Sequence, residues 1–501
     1  MRGRTALRFL LPVLAGAAFL VAGSGTALGL TDEEIFRTLP FNYIPAGARA
    51  AAMGGASVAI ASDASAVLTN PAGLRSLREG QFFIEYRSLN PDDPGSFESN
   101  VGSLDVDPVT GDRDLPYLSL STGSRLDSQG MISLVSFVWP FALGDGSRRL
   151  QVGGSRQVIV DSDQTLPSSS DGTKAVFSFD SFPNTVAGGE VVAYSVSAPV
   201  TGSSSMEIVY WNGTVSYDVH RDFSVGLTVT QATLDLQADT TTQAEDPLQL
   251  YLDPSHPRLP GQPTTDIYDT HIDGSDSDIA YTLGFHWHPG SSFATGTSPW
   301  EFGAVFQKGA RFSVRESTVL NQQPDRSFEN RVSVPDRYAV GALYRLETSW
   351  LFTVELERVE FSDLDGGFES GINFLTSPTV TSSFGIDPTA SVKFEASDGT
   401  VVRAGAEYFM PLWGRQERNL VLRGGYFRSP DDQIRMTEFN SLDAGVNSMY
   451  REAFPGGEAT DHFTLGAGIT IGRHQFQIAG ETSDQGSQVL VGYVLNLGKN
   501  H

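Results

Sequence analysis

Apolar and polar residues alternate along most of the chain from about residue 80 onward. The run that starts at Phe223 reads FSVGLTVT, and the run that starts at Phe463 reads FTLGAGITIG. Successive side chains of a β-strand point to opposite faces, so a period of two predicts strands with one apolar face. We count about fourteen to sixteen such runs before residue 497, separated by segments rich in Gly, Asp, Ser and Pro. The pattern predicts an all-β, antiparallel protein.

A soluble sandwich of antiparallel sheets would produce the same alternation, but three features favour a transmembrane β-barrel. Many runs reach about 9–12 residues, which is the length that a tilted membrane strand needs. The faces opposite the apolar ones carry Gly, Thr and Glu, as expected for a lumen. Aromatic residues recur near the ends of runs, as an interfacial girdle requires. They include Trp139, Phe141, Trp287, Trp300, Trp350 and Tyr408.

The gaps between the runs fall into two classes. A few are tight, among them Glu347–Ser349 and Thr482–Ser487, whereas others are long, acidic and rich in Pro, Gly and Ser. The long gaps are residues 89–115, 237–277, 315–330, 363–390 and 429–460. Long loops at one end and short turns at the other are typical of outer-membrane barrels.

The first 29 residues have the pattern of a secretory signal peptide. Arg2, Arg4 and Arg8 precede an apolar run from Phe9 to Val21, and small residues follow as far as Gly29. The apolar run of about thirteen residues is shorter than the ~20 that a membrane-spanning helix needs. We therefore expect export and cleavage near residue 29.

Composition excludes several classes of function. The chain has 34 basic and 59 acidic residues, a net charge of -25, and no cysteine. Such an excess of acid argues against nucleic-acid binding, which depends on Lys and Arg, and the lack of cysteine removes thiolate chemistry. No Gly-x-Ser-x-Gly or His-Glu-x-x-His motif is present after the signal segment. We predict a protein without enzymatic activity, cofactor or metal.

Three segments keep metal binding open as an alternative. His286 and His288 lie two residues apart in one run, but no third ligand is evident. DVDPVTGDRD at residues 105–114 and DGSDSD at residues 273–278 are rich in the oxygen ligands that Ca²⁺ prefers. Neither matches a complete EF-hand loop, so solvated acidic loops are the default interpretation.

The segment from Gly47 to Leu77 does not alternate. It is rich in small residues and nearly uncharged, so it can pack inside a barrel, although a periplasmic tail is the alternative. Ala64–Leu68 is predicted as one or two helical turns with Asp63 as the N-cap. Asn70-Pro71 then ends the helix, because the residue before proline is pushed out of the helical region.

This segment carries a family resemblance, which extends over roughly residues 45–497. Gly47-Ala48-Arg49, Met53-Gly54-Gly55-Ala56, Asp63-Ala64-Ser65 and above all Asn70-Pro71-Ala72-Gly73-Leu74 resemble the plug of the FadL/TodX family. These are outer-membrane transporters for long-chain fatty acids and aromatic hydrocarbons. Later stretches also look similar to strands of that family, namely Val334–Gly341, Arg358–Asp363, Leu422–Tyr426 and Thr464–Gly468.

The resemblance implies an antiparallel transmembrane barrel of about 14 strands with a small N-terminal plug that contains short helices. The chain then divides into a signal peptide (1–29), a plug (30–78) and a barrel with long acidic extracellular loops (79–501). The plug motif with a role in gating is Asn70, Pro71, Ala72 and Gly73.

The resemblance also implies passive uptake of hydrophobic small molecules across the outer membrane. The alternative is a PorV-like barrel that acts as a scaffold for an envelope or secretion system. We expect a monomer that contacts a hydrophobic ligand, outer-membrane lipid and lipopolysaccharide. A candidate apolar ligand path or kinked strand includes Phe137, Trp139, Pro140 and Phe141, because Pro140 donates no hydrogen bond to a ladder.

Overall fold

The structure of the protein is a computed structural model. The structure describes residues 47–60, 63–91, 97–101, 117–122, 125–126, 129–143, 148–166, 174–184, 189–245, 265–290, 298–320, 323–347, 349–367, 392–412, 418–431, 435–439, 457–484 and 486–498. The predicted signal peptide and the acidic segment 105–114 lie outside these residues, so both stay predictions.

Fourteen strands close a barrel in which every neighbouring pair is antiparallel, as predicted. Of the 22 strands whose bounds follow, the fourteen in the barrel are β1, β5, β6, β8, β9, β10, β11, β14, β15, β17, β18, β20, β21 and β22. In chain order the strands are β1 (Gln81–Pro91), β2 (Phe97–Val101), β3 (Tyr117–Thr122), β4 (Arg125–Leu126), β5 (Gln129–Leu143), β6 (Arg148–Leu166), β7 (Lys174–Asn184), β8 (Gly189–His220), β9 (Phe223–Glu245), β10 (Thr265–Trp287), β11 (Trp300–Lys308), β12 (Arg311–Leu320), β13 (Gln323–Ser333), β14 (Arg337–Leu346), β15 (Trp350–Val359), β16 (Val392–Glu395), β17 (Gly399–Pro411), β18 (Arg418–Ser429), β19 (Arg435–Phe439), β20 (Thr460–Ile471), β21 (His474–Ser483) and β22 (Gly486–Asn496).

The barrel wall has an apolar outer face and an inner face with many polar side chains. Strand β15 shows this most clearly, because buried and exposed residues alternate along its whole length. Phe352, Val354 and Leu356 are exposed on the outside, while Glu355 and Glu357 are buried on the inside. An apolar outer face is stable only when lipid covers it, so this alternation is that of a membrane barrel.

Aromatic side chains form two belts on the outer face. In the first, Trp300 and Tyr344 have ring centroids 4.7 Å apart, and Trp350 and Tyr408 have centroids 4.6 Å apart. In the second, the Phe306 and Tyr338 centroids are 4.9 Å apart and the Tyr426 and Phe463 centroids are 5.5 Å apart. Tyr338 and Tyr344 share strand β14, and their separation corresponds to ~20 Å along a strand. That spacing is close to the ~25 Å height of the apolar band of outer-membrane barrels.

The two ends of the barrel differ, as the lengths of the gaps predicted. At one end, here called the turn end, β8 and β9 are joined by Arg221–Asp222, and β20 and β21 by Gly472–Arg473. The opposite end, here called the loop end, carries the long connections. The Thr482–Ser487 turn is tight, but it joins β21 to β22 at the loop end. Turn length alone was therefore a misleading guide to sidedness at that position.

Two of the predicted long loops are largely strand, which corrects the sequence analysis. Residues 237–277 include the paired ends of β9 and β10, whose register continues from Phe223↔Trp287 to Glu245↔Thr265. Residues 315–330 form most of the β12–β13 hairpin, which pairs with β10 beyond the closed ring. Both segments are mostly polar in sequence and show no regular apolar alternation, so no apolar face marks the strands, but backbone pairing does not require one.

The described helices are short: α1 (Ala48–Ala52), α2 (Ala66–Thr69) and 3₁₀ turns at Pro71–Ser76 and Phe361–Gly367. Helix α2 begins at Ala66, two residues later than predicted, and Asp63 lies in the turn before it, where its carboxylate accepts a 3.0 Å bond from Ser65 N. Asn70 ends α2 in an extended conformation, as predicted. Within the described residues, no helix is long and apolar enough to span a bilayer.

The described residues of the segment 47–77, here called the plug, lie inside the ring of strands. The plug backbone bonds to side chains on widely separated strands: Gly54 N to Thr464 of β20 at 3.0 Å, and Ala64 O to Ser136 of β5 at 2.8 Å. It also accepts a 2.8 Å bond from the Thr228 hydroxyl of β9. A segment that contacts so many sides of a closed ring must occupy its lumen.

Candidate functional site in the barrel lumen

Asn70 is the residue that ties the plug together and holds it to the wall. Its side chain is fully buried, and its amide nitrogen donates to Val58 O at 2.7 Å and to Phe285 O of β10 at 3.0 Å. The amide oxygen accepts from Ala72 N at 3.1 Å and so caps the 3₁₀ turn. One side chain thus joins two parts of the plug to one strand of the barrel, which explains why the predicted motif centres on asparagine followed by proline.

Glycines on the inner wall let the plug backbone approach the strands closely. A Cβ atom on Gly284 would lie 2.3 Å from the Asn70 Oδ1 atom, and one on Gly226 would lie 2.5 Å from Ala72 N. Real Cβ contacts do not come so close, so a side chain at either position would displace the Asn70–Gly73 motif. Four further strands make similar approaches, through Gly303, Gly405, Gly425 and Gly466.

We expect Gly284→Val to loosen the plug. Overpacking of this kind typically costs about 1–3 kcal/mol, so the population with a displaced plug should rise roughly 5- to 150-fold. The chain has no cysteine, so a single Ala72→Cys, buried in the parent, can report the displacement as its rate of modification by a maleimide. Gly213→Val is the matched control, because a Cβ at Gly213 has no neighbour within 4 Å. Equal labelling rates in the two variants would contradict the close-approach argument.

Buried ion pairs provide a second set of contacts between plug and wall. The carboxylate of Glu407, on β17, is fully buried and binds Arg49 of the plug in a two-point contact of 2.7 and 2.9 Å. The same carboxylate accepts from Arg423 Nε of β18 at 2.6 Å. Bidentate pairs between guanidinium and carboxylate are strong and directional, so they fix the orientation of α1 in the lumen.

Glu355 of β15 holds the middle of the plug. One of its carboxylate oxygens accepts from the backbone N–H groups of Ser57 and Val58, both at 2.8 Å. Its neighbour Glu357 binds Arg403 of β17 at 2.7 Å, and Arg403 reaches Gly54 O at 3.4 Å. The sequence marked these glutamates only as a polar inner face, and no signal in the sequence could pair them with the plug.

A buried histidine lies where the plug meets β10 and β11. His286 Nε2 is 3.3 Å from Ala59 O of the plug and 3.3 Å from a carboxylate oxygen of Glu301. Glu301 also binds Arg345 at 2.9 Å. His288 is elsewhere, with its Nε2 atom 3.3 Å from Ser298 O. The structure therefore uses the first histidine as a plug contact.

A cavity of about 60 Å³ separates the plug from one side of the wall. Its lining combines plug residues such as Val58 and Val67 with polar side chains of the wall such as Gln157 and Asn212. An apolar cavity that holds a benzene ring has a volume on the order of 150 Å³. An aromatic hydrocarbon therefore does not fit beside the plug at this point, and passage here requires the plug to move.

The inner wall becomes apolar between the plug and the loop end on one side of the barrel. On β9, Ala232, Leu234 and Leu236 share the face of Thr228, which bonds to the plug, and all three are buried. They belong to one cluster with side chains of β8 and of the β12–β13 hairpin, including Ile208, Tyr210, Phe312 and Val332. The wall across the lumen adds Phe427, Ala479 and Leu490 to this cluster, and it also carries polar side chains, with His462 Nδ1 2.7 Å from Glu481 of β21.

The residues of the candidate ligand path lie on β5, but three of them face outward. Phe137, Trp139 and Phe141 are 41–48% exposed and share the outer face. Pro140 pairs with Gln151 of β6 without a shift in register. The irregularity in β5 comes earlier, where the pairing with β1 passes over Ser133. Whether a ligand travels along this outer face stays a prediction.

Acidic side chains at the loop end are occupied by protein donors. Asp276 and Asp278 lie within β10, and they accept from Ser313 N and Arg311 N at 2.7 and 2.8 Å. Among the residues with described positions, Asp336, Glu360 and Asp363 bring carboxylates within 4.8 Å of one another. Lys308 lies 2.6 Å from Asp336, and Arg311 lies 2.9 Å from Asp363. The group is thus a network of ion pairs at the barrel rim.

Searches of family models and of curated proteins returned no match, whereas solved structures share the fold. A FadL homologue from Pseudomonas aeruginosa superposes with a TM-score of 0.54 at 11% identity, over 89% of this chain and 96% of its own. The CymD monoaromatic hydrocarbon channel superposes with a TM-score of 0.50 at 14% identity, over 92% of this chain and all of its own. The plugged 14-stranded barrel described above therefore has the fold of the FadL-type barrels.

Proposed function

We propose that this protein is an outer-membrane barrel for passive uptake of hydrophobic small molecules, such as long-chain fatty acids or hydrocarbons. The observation that carries the proposal is the lumen: a plug closes it, and a buried apolar wall leads to that plug from the loop end. A passenger taken from the external medium would rest on this wall and would pass when the Asn70–Gly73 motif moves.

Two further observations support an outer-membrane location and a hydrophobic passenger. The outer face is apolar between two aromatic belts, as lipid requires. FadL-type barrels of the same fold include proteins named as a FadL homologue and as a channel for monoaromatic hydrocarbons. No described feature favours the scaffold alternative. The protein would act as a monomer, exported by its signal peptide, in contact with outer-membrane lipid and lipopolysaccharide.

Uptake of labelled oleate or toluene tests the proposal in a host without its own fatty-acid porin. The protein should raise initial uptake over empty vector, and Asn70→Ala should raise it further by at least about fivefold. The reason is that Asn70 supplies three buried hydrogen bonds, and the loss of even ~1 kcal/mol of anchoring multiplies the displaced population by about five. Asn90→Ala, at the exposed end of β1, is the control and should match the parent. Uptake at the level of empty vector for the parent and for both variants would refute transport.

A further inference from the structure

The turn end of the barrel carries positive charge although the chain as a whole is strongly negative. Six arginines outside the plug lie at this end, against four carboxylates, Glu79, Asp222, Glu301 and Glu347, when only residues with described side chains are counted and the pair of Asp218 with Arg75 of the plug is left out. The arginines are Arg78, Arg148, Arg149, Arg221, Arg345 and Arg473. The whole chain has 59 acidic and 34 basic residues, so the sign of the charge is reversed at one end.

These arginines are spread around the ring and do not form a single patch. Arg148 begins β6, Arg221 lies in the β8–β9 turn, Arg345 is near the end of β14 and Arg473 lies in the β20–β21 turn. Arg148 and Arg221 are exposed. The Arg345 side chain is 47% exposed and pairs with Glu301 at 2.9 Å. The set is here called the arginine collar.

The collar lies next to the aromatic belt of the turn end. Arg345 directly follows Tyr344, whose ring contacts Trp300, and Trp350 begins the next strand. Such belts mark the boundary between hydrocarbon and headgroups. The guanidinium groups that follow the belt are therefore at the depth of lipid phosphates, and guanidinium binds phosphate with two parallel hydrogen bonds.

From this position and this charge we infer that the arginine collar binds the headgroups of anionic phospholipids in the leaflet at the turn end. The inference rests on the membrane placement within the proposed function and not on transport. Because short turns of outer-membrane barrels face the periplasm, the leaflet concerned is the periplasmic one. The collar would fix the depth and the orientation of the barrel there, while the acidic loop end faces outward.

Tryptophan quenching by brominated lipids tests the collar directly. Four of the six tryptophans, Trp139, Trp287, Trp300 and Trp350, lie on β5, β10, β11 and β15 towards the turn end, so most of the fluorescence reports on lipid next to the collar. The full chain is reconstituted in phosphatidylethanolamine vesicles that contain a fixed fraction of phosphatidylglycerol, with one of the two lipids brominated. We expect a relative association constant of about five in favour of phosphatidylglycerol, which falls as salt is added.

Two triple variants separate the collar from general charge. Arg148→Gln, Arg221→Gln and Arg473→Gln together should lower the relative association constant to about one. The control replaces three arginines of the loop end, Arg311, Arg358 and Arg428, which are 48–57% exposed, and should keep the preference for phosphatidylglycerol. Equal quenching by both lipids in the parent would overturn the inference, and so would the same loss of preference in both triple variants.

The test of the arginine collar does not depend on transport, and it can be completed even if the triple variant does not fold. Each variant is checked for the shift in gel mobility on heating that a folded barrel shows. If the triple variant does not fold, Arg221→Gln alone replaces one residue of a two-residue turn and should remove part of the preference, and an unchanged preference would again overturn the inference. A protein that takes up no oleate but still selects phosphatidylglycerol would refute the proposed passenger and leave the collar standing.

Discussion

Replacement of Glu407 by alanine should lower the free energy of unfolding by about 3–5 kcal/mol, the largest effect that we expect from a single substitution. Glu407 is fully buried and pairs with both Arg49 and Arg423. Its removal leaves two guanidinium groups inside the barrel without their carboxylate, and an orphaned buried charge typically costs that much. Urea unfolding in phospholipid vesicles measures the change.

Two further variants identify the cause of that loss. Glu207→Ala removes an ion pair with Arg156 in which both side chains are more than 30% exposed, so stability should change by about 0–1 kcal/mol. Adding Arg423→Leu to Glu407→Ala removes one of the orphaned cations and should restore part of the stability. A Glu407→Ala variant as stable as Glu207→Ala would mean that water reaches the ion pairs of Glu407. It would contradict the conclusion that these buried pairs hold the plug in place.

Deletion of residues 47–77 should convert the closed barrel into an ion-conducting pore. A 14-stranded ring lies between the filled eight-stranded barrels and the 16–18-stranded porins with aqueous channels. The wall that the plug leaves behind carries Glu355, Arg403, Glu407 and Thr464, all of which hydrate readily. In planar bilayers, the current at a given voltage should rise on the order of tenfold or more over the full chain.

The deletion also shows which part of the lumen is the barrier. The ladder of the fourteen strands contains no plug residue, so the ring can close without it, and the shift in gel mobility on heating verifies that it has done so. A folded barrel that conducts no more ions after the deletion would contradict the inference that the plug blocks the lumen. The barrier would then be the apolar cluster towards the loop end, which includes Phe312 and Phe427.

The sequence alone determined the class of fold, because a period of two is a local property. Runs such as 223–230 and 463–472 show which residues face lipid wherever apolar and polar residues alternate, and they are strands of the ring, β9 and β20. The plug segment stood out by the absence of that period. The end of helix α2 in this segment was also a local property, because the residue before proline, Asn70, is kept out of the helical region.

The extent of the strands required the tertiary structure. Residues 237–277 have no apolar face, so their pattern predicted a loop, but the antiparallel register continues through them as far as Glu245 and Thr265. The tight turn at Thr482–Ser487 lies at the loop end because of the number of strands that precede it. Neither the length of these strands nor the end of the barrel at which this turn lies can be predicted from a short stretch of neighbouring residues.

The candidate site was likewise predicted in part from the sequence and determined in part by the tertiary structure. Sequence reasoning found the Asn70–Gly73 motif, but only the closed ring shows what that motif contacts, because Phe285 and Gly284 are more than 200 positions away along the chain. Likewise Arg49 and Glu407 are separated by 358 positions, and each alone is one charged residue among many. Alternation determined which residues point inward, and closure of the barrel decided which of them meet, because contacts across a lumen depend on the register of all fourteen strands.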